Sequence, residues 1–314
     1  MRVLVTGGTG YLGSAIVRAL ARHGHEPIAF ARHASGAGLP GRAIDGDIRD
    51  RSAVIRAAAR ADAICHAAAL VSTWRPRPAE FDEVNVGGLE AVLEAARTLG
   101  TPRIIYTSSF LAVPRADGFV PRRLQDYQRT KARARSVALA AAGAGAPVLS
   151  LVPGVIYGPG AATEGNLVSR LIRDHLAGAL PGIVGAERLW SYAFVDDVAD
   201  AHVAALERGE IGAEYALGGE NAPQMRVFEI VRAMSGARLP RRIPAAVAAA
   251  AALVEEARAR LTGRVPQLTR ATVEILRRDW AVDSSGSIEA LGYRIRPLRA
   301  GVEAIMAGLR QGPD

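Results

Sequence analysis

Lysine is almost missing from this chain of 314 residues: of 39 basic side chains, all are arginine except Lys131. Cysteine is just as scarce. Cys65 stands alone, which excludes an intrachain disulfide and removes any argument for an oxidising compartment; lying in an apolar run, it reads as a buried core thiol. Aromatic residues make up only 5% of the chain, and much of the 49% apolar share is alanine. Acidic residues, at 31, are outnumbered enough to leave a net charge of +8. The arginines are nevertheless spread along the chain, with Arg241-Arg242 one of a few adjacent pairs, so a solvated basic surface that favours anionic ligands is expected rather than a nucleic-acid partner. No apolar run approaches the ~20 residues of a membrane span. The longest, Pro244 to Val254, ends at Glu255 and Glu256 and reads as a packed alanine-rich helix, with peripheral membrane contact as the lesser alternative. Internal repeats and disordered polar tracts are also lacking. The first residues run directly into the strand-like Arg2-Val3-Leu4-Val5, so no signal peptide is expected, and a cytoplasmic location without a membrane partner follows as the expectation.

The single lysine lies four residues after Tyr127, a spacing that puts both side chains on one helix face. A tyrosine, with a pKa near 10, does little acid–base work at neutral pH unless a neighbouring cation lowers that value. An ammonium does this as a compact point charge, where a guanidinium is a wide planar fork. The alternative is an exposed helix with a stray lysine among Arg129, Arg133 and Arg135.

The first half reads as alternating strands and helices around a phosphate-binding turn. A strand at Val3 to Thr6 leads into Gly7-Gly8-Thr9-Gly10-Tyr11-Leu12-Gly13 and then an amphipathic run from Ala15 to Arg22. Glycines 7, 10 and 13 let the turn tighten, the backbone approach a pyrophosphate, and the helix pack on the strand. Further strands are read at Pro27 to Ala31, Arg42 to Ile44 and Ala63 to His66, with a helix at Ser52 to Ala59. After the second strand, where an acidic residue would suit the ribose of NAD, the chain has Arg32, which suits the 2′-phosphate of NADP; a plain surface arginine is the alternative. NADP(H) is therefore preferred and NAD(H) possible. His66 reads as a structural group, and small residues Ala67, Ala68 and Ala69 let the chain pass close to a dinucleotide.

Thr6 to Gly13, Asp45-Gly-Asp-Ile48, His66 to Ala69, Asn85-Val-Gly-Gly88, Tyr106-Thr-Ser-Ser109, Tyr127 to Lys131, Val152 to Pro159, Phe194-Val-Asp-Asp-Val-Ala199 and Leu217-Gly-Gly-Glu220 together resemble the extended short-chain dehydrogenase/reductase superfamily, the epimerase/dehydratase family. Pro266-Gln-Leu-Thr269 and Leu291-Gly-Tyr293 resemble its dihydroflavonol-reductase-like and 3β-hydroxysteroid-dehydrogenase-like members. The resemblance implies an α/β fold: a Rossmann-type doubly wound parallel sheet with a smaller, mostly helical C-terminal substrate lobe. The dinucleotide domain would cover 1–159, its sheet completed by about 191–220, and the lobe 160–190 and 221–314. It further implies Tyr127 as general acid or base, Lys131 as the cation beside it, and Ser109 as the group orienting the reacting oxygen, with Ser108 the competing assignment. Cofactor contacts would come from Gly7, Thr9, Gly10, Tyr11, Leu12, Gly13, Arg32, Asp47, Ile48, Ala67, Ala68, Ala69, Tyr127, Lys131, Pro153 and Val155. Trp74, Phe110, Tyr157, Asn166, Trp190 and Tyr192 would line the substrate cleft, each with core packing as the alternative. Asn85 would sit near the site, and Asp196-Asp197 would form a structural turn before a helix at Val198 to Leu206.

The activity this implies is NADPH-dependent reduction of a ketone or aldehyde, or the reverse oxidation of an alcohol, on a small-molecule substrate without a metal. A nucleotide-sugar epimerase is the alternative, favoured by Val71-Ser72-Thr73-Trp74 and opposed by Arg32. A dehydratase is disfavoured because Phe110-Leu111 stands where such members carry an Asp-Glu pair. A non-catalytic dinucleotide sensor would be expected to lose Tyr127 or Lys131. A homodimer is possible through helices covering Leu89 to Ala96 and Lys131 to Ala141.

Overall fold

The computed structural model describes residues 1–114, 125–161 and 163–311. Its first half alternates strands and helices: β1 (Arg2–Thr6), α1 (Tyr11–Arg22), β2 (Glu26–Ala31), β3 (Arg42–Asp45), α2 (Arg51–Ala58), β4 (Ala63–His66), α3 (Ala79–Asn85), α4 (Gly87–Leu99), β5 (Ile104–Thr107), α5 (Asp126–Gly143) and β6 (Val148–Pro153). The second half adds β7 (Val155–Tyr157), α6 (Leu167–Leu176), β8 (Ile183–Val184), β9 (Leu189–Phe194), α7 (Val195–Arg208), β10 (Glu214–Leu217), β11 (Glu220–Pro223), α8 (Gln224–Ser235), β12 (Arg242–Ile243) and helices α9 (Ala245–Thr262), α10 (Arg270–Leu276), α11 (Ser285–Leu291) and α12 (Leu298–Gln311).

Seven parallel strands run in the order β10-β6-β5-β4-β1-β2-β3, so the strand order reverses between β1 and β4. β4, β5 and β6 are buried along their whole length, as a parallel sheet covered on both faces requires. One covering layer is built on α1 and α7, whose Ile16, Leu20, Val198 and Leu206 bury against Val5, Cys65 and Leu151. The other is built on α2, α4 and α5 through Val54, Val92, Ala95, Ala134 and Ala138, which pack on Leu4, Ile64 and Ile104. Alanines of α4 and α5 that could have faced a second subunit are thus partly spent inside the chain.

In the second half, β10 (Glu214–Leu217) returns to the main sheet beside β6, and β9 lies outside it. Of the stretch 191–220 expected to complete the main sheet, only β10 joins it; β9 pairs with β7 and β11 in a separate three-stranded sheet. β9 crosses tight against the chain just after β6: a Cβ on Gly154 would come 2.6 Å from the Ser191 carbonyl oxygen. With β8 and β12 forming a further pair, the lobe carries short sheets as well as helices. Asp196 and Asp197 lie within the first turn of α7 rather than ahead of it, where the helix dipole favours acidic groups. Asp197 Oδ2 accepts from the Arg296 amide at 2.9 Å, tying α7 to the C-terminal segment.

The alanine-rich helix read from Pro244 to Val254 is α9, and it is packed on one side only. Ala248 and Ala252 bury against Val184 and Val273, while Val247, Leu253 and Val254 face outward.

Candidate active site

The glycine turn between β1 and α1 lies at the carboxyl ends of the strands, beside the reversal of strand order, where open α/β sheets form their ligand crevice. Gly7 has φ +70°, a left-handed conformation that favours glycine. A Cβ on Gly7 would lie 2.7 Å from Ala68 Cα, and one on Gly13 would collide with the Gly7 carbonyl oxygen. The turn is therefore pressed against Ala67-Ala68 with no room for side chains. Helix α1 starts at Tyr11 after Gly10, which offers no side-chain cap, leaving its first N–H groups unclaimed by any side chain. Bare amides, a helix dipole and a cradle that a Cβ would fill suit a flat, doubly charged pyrophosphate.

Thr9 and Gly10 are exposed and Leu12 is half-buried at this turn. Tyr11 packs toward Gly158 and Gly160, and burial raises its pKa. Ala69 is half-buried beyond the β4 end, while Pro153 and Val155 are buried where β6 passes into β7. Ile48 turns its side chain into the core against Gly88, so only its main chain could meet a ligand.

Arg32 is exposed at the end of β2, and its charge helps hold the Asp47 carboxyl below the usual range, after the larger effect of the hydrogen-bonded Arg49. The nearest acidic alternative, Asp45, is already engaged: it accepts from Ala34 N at 2.6 Å, Ser35 N at 2.9 Å and Ser35 Oγ at 2.6 Å.

Lys131 is buried on α5. Its Nζ donates to the Thr107 carbonyl at 2.7 Å and sits 5.0 Å over the Tyr106 ring centroid. Burial lowers its pKa to about 7. One turn earlier, the half-buried Tyr127 lies beside Ser109; burial pushes its pKa up to about 12, and the neighbouring serine opposes that shift. Ser109, two residues past β5, is in extended conformation, and its Oγ accepts from Leu111 N at 3.2 Å. Ser108 turns inward beside the Tyr106 phenol, without a hydrogen bond of normal geometry. Ser109 is thus the serine that meets Tyr127.

Buried polar contacts absent from the sequence reading hold these groups. Thr107 Oγ1 lies 2.8 Å from His202 Nε2, and His202 Nδ1 lies 2.8 Å from the Val198 carbonyl. A carbonyl only accepts, so Nδ1 carries the proton and Nε2 accepts from Thr107. The strand end that receives Lys131 is in this way pinned to α7. Asn85, which the sequence could only place near the site, has a positioning geometry: its Oδ1 accepts from Leu70 N at 2.7 Å and its Nδ2 donates to Thr130 Oγ1 at 2.9 Å, joining the loop after β4 to α5. His66 bonds Thr6 at 2.7 Å and stacks on Tyr106; burial, then the Lys131 charge, drops its pKa to about 3. The Thr-Ser-Ser sequence at a strand end was the only available hint of Thr107, and nothing local pointed to His202.

The expected cleft residues divide. Trp74 and Phe110 are half-buried, Phe110 edge-on to Trp280 with centroids 5.4 Å apart. Tyr157, Asn166, Trp190 and Tyr192 instead belong to the buried interior of the second lobe. Tyr157 packs edge-to-face on Tyr192 and Phe194, Asn166 Nδ2 donates to the Gly158 carbonyl at 3.0 Å, and Trp190 Nε1 donates to the Arg278 carbonyl at 3.3 Å. The cavity that Trp190 and Tyr192 touch has about 20 Å³, room for one water and not for a substrate. Their aromatic bulk stabilises this lobe by burial, in keeping with the core-packing alternative.

A doubly wound parallel sheet with a phosphate-binding glycine turn at its crossover, and a tyrosine, lysine and serine gathered at the ends of the next strands, defines a dinucleotide-dependent enzyme of the extended short-chain dehydrogenase/reductase superfamily. The chain belongs to the NAD dependent epimerase/dehydratase family, whose model matches residues 3–218. It is 30% identical to sterol demethylase protein B of Methylococcus capsulatus over 99% of each chain. It is 33% identical to 2-alkyl-3-oxoalkanoate reductase of Stenotrophomonas maltophilia over 69% of this chain and 68% of that one. Among solved structures, gox2253 superposes with a TM-score of 0.82 at 32% identity, covering 98% of both chains. The protein is accordingly an NAD(P)-dependent enzyme acting on CH–OH or C=O groups.

Proposed function

We propose that this protein is an NADP(H)-dependent reductase converting a ketone or aldehyde to an alcohol, or the reverse, with residues 1–159 holding the cofactor and the second lobe closing over the substrate. The observation that carries the reading is the buried Lys131, held by the Thr107 carbonyl at 2.7 Å, one helical turn from Tyr127 and its neighbour Ser109. Bound NADPH supplies the hydride to the carbonyl carbon. Ser109 orients the carbonyl oxygen, and Tyr127, protonated at neutral pH because burial holds its pKa near about 12, delivers the proton that completes the alcohol. Ser109 stabilises the phenolate left behind, with Lys131 adding its charge in the fraction that is protonated, until solvent reprotonates the tyrosine. In the oxidative direction Tyr127 must first lose its proton, so alcohol oxidation should accelerate as pH rises above neutrality while reduction does not.

Arg32 supports NADP(H) over NAD(H), because Asp45 is held in its own turn and the guanidinium beside Asp47 is exposed to receive a 2′-phosphate. The name of the reductase relative supports net carbonyl chemistry. A redox-neutral sugar epimerase is the second reading, supported by the breadth of the family and by the Val71-Ser72-Thr73-Trp74 segment.

The deciding experiment follows NADPH and NADH consumption with a panel of ketones and aldehydes, with cofactor binding measured separately. NADPH-favouring turnover should fall by about 10²- to 10⁴-fold in Tyr127→Phe with cofactor affinity retained. Arg32→Asp should weaken NADPH binding by roughly tenfold or more and spare NADH. Tight cofactor binding with no net consumption, together with interconversion of a nucleotide sugar, would replace the reductase reading by the epimerase one.

A further inference from the structure

The outward side of α9 is apolar where a surface helix is ordinarily polar. Val247, Val254 and Leu261 recur every seven residues along one line of the helix and are 58%, 66% and 87% exposed, with Leu253 beside them. The small residues Ala246, Ala250 and Ala257 fill the rest of the stripe, and all are exposed. Leaving so much aliphatic surface contiguous in water is unfavourable, and such surfaces mark interaction sites.

The border of this stripe is cationic. By helical geometry Arg258 lies along one edge and Arg260 along the other. Residues 236–270 contain seven arginines and two glutamates, a surplus of five out of the chain's net eight positive charges. Glu255 pairs with Arg258 at 2.8 Å, Glu256 with Arg270 at 2.7 Å, and Arg242 with Glu187, so the excess positive charge of this segment is carried by Arg238, Arg241, Arg260 and Arg264. An aliphatic stripe between arginine rims matches a surface that is apolar inside and anionic at its boundary. A second copy of the chain is a poor match, since a two-fold contact through this face would set arginine rims against each other.

We propose that α9 docks the protein onto an anionic lipid bilayer, lying in the plane of the interface with Val247, Leu253, Val254 and Leu261 in the acyl boundary and the arginines at the headgroups. It lies on the membrane and does not span it, since no helix among the described residues is long and apolar enough to cross. Docking through α9 orients the active site as well. Helix α9 packs on α10 through Val273, and Thr272 of α10 accepts a hydrogen bond from Gln125, the residue that precedes the helix carrying Tyr127. The proposal rests on surface chemistry and stands independently of the reductase reading.

The test is flotation of the full-length protein with phosphatidylcholine vesicles made with and without phosphatidylglycerol, at low and high salt. The expected result is recovery with the phosphatidylglycerol vesicles at low salt, reduced severalfold by high salt. Val254→Glu and Leu261→Glu should each weaken binding by about tenfold, and Arg260→Glu by about fivefold. All three side chains lie on the solvent side, so thermal melting and cofactor binding should be unchanged. Failure of the wild type to float, or equal flotation of a variant carrying both Val254→Glu and Leu261→Glu, overturns the proposal. So does a concentration-dependent dimer in sedimentation that dissociates in that variant, which would make a second copy the occupant.

Discussion

At the residue scale, the site depends on buried ionisable groups whose surroundings set their charge. Lys131 was legible because a lone lysine among arginines, four residues from a tyrosine, marks a slot that takes an ammonium and not a guanidinium, and Tyr127 came with it. Its acceptor was not legible. The acceptor is a main-chain carbonyl, which has no sequence identity, and the histidine that pins it is 95 residues away. His202 and His66 are buried and neutral, with pKa values lowered by burial to about 4 and about 3. Each folded-state pKa lies below the unfolded value near 6.5, so the unfolded chain binds more protons between the two. Stability should therefore fall as pH drops from about 6.5 toward 4, by on the order of 1 kcal/mol per pH unit per histidine. Urea unfolding at pH 7 and pH 5 checks this. His202→Gln, which can still donate to Val198 and accept from Thr107, should lose less on acidification than the wild type.

At the element scale, the strand–glycine turn–helix unit was readable almost to its boundaries, because its backbone geometry is demanded by local residue type. Helix α1 starts four residues before the amphipathic run read from Ala15, since Tyr11 to Ser14 already turn helically above the glycines. Gly13→Ala puts a methyl into the Gly7 carbonyl, forcing the turn open. The expected outcome is loss of dinucleotide binding by at least about tenfold and destabilisation of about 1–3 kcal/mol, measured by cofactor titration and by chemical denaturation. Strand β9 and helix α9 were the elements least well read. A strand's propensity does not say which sheet it joins, and an alanine-rich apolar run does not say whether one face or both will be covered.

On the scale of the whole molecule, the proposed cofactor crevice borders β1, α1, β4, β5 and α5 at once, so binding there would brace elements from both covering layers. Saturating NADPH at about a hundred times its Kd should stabilise the fold by about 2.7 kcal/mol, seen as a rise of several degrees in Tm. NADH at the same concentration should give less. A chain with Tyr127→Phe should show the same rise, which separates binding from turnover. The substrate side was less legible: of six residues assigned to the cleft, Tyr157, Asn166, Trp190 and Tyr192 went into the lobe's interior. Large aromatics are spaced alike in a sequence whether they wall a cavity or fill one.

What the sequence by itself determined are the features that short segments specify: the phosphate-binding turn, the parallel alternation of strands and helices, the Tyr127–Lys131 pair and the arginine in place of a ribose-binding acid. Only the tertiary structure decided which serine meets Tyr127, what receives Lys131, where β9 pairs, and that α9 turns an apolar face outward. The first group follows from backbone geometry and spacing along one or two elements. The second depends on contacts between residues far apart in the chain, where burial and packing choose the partner.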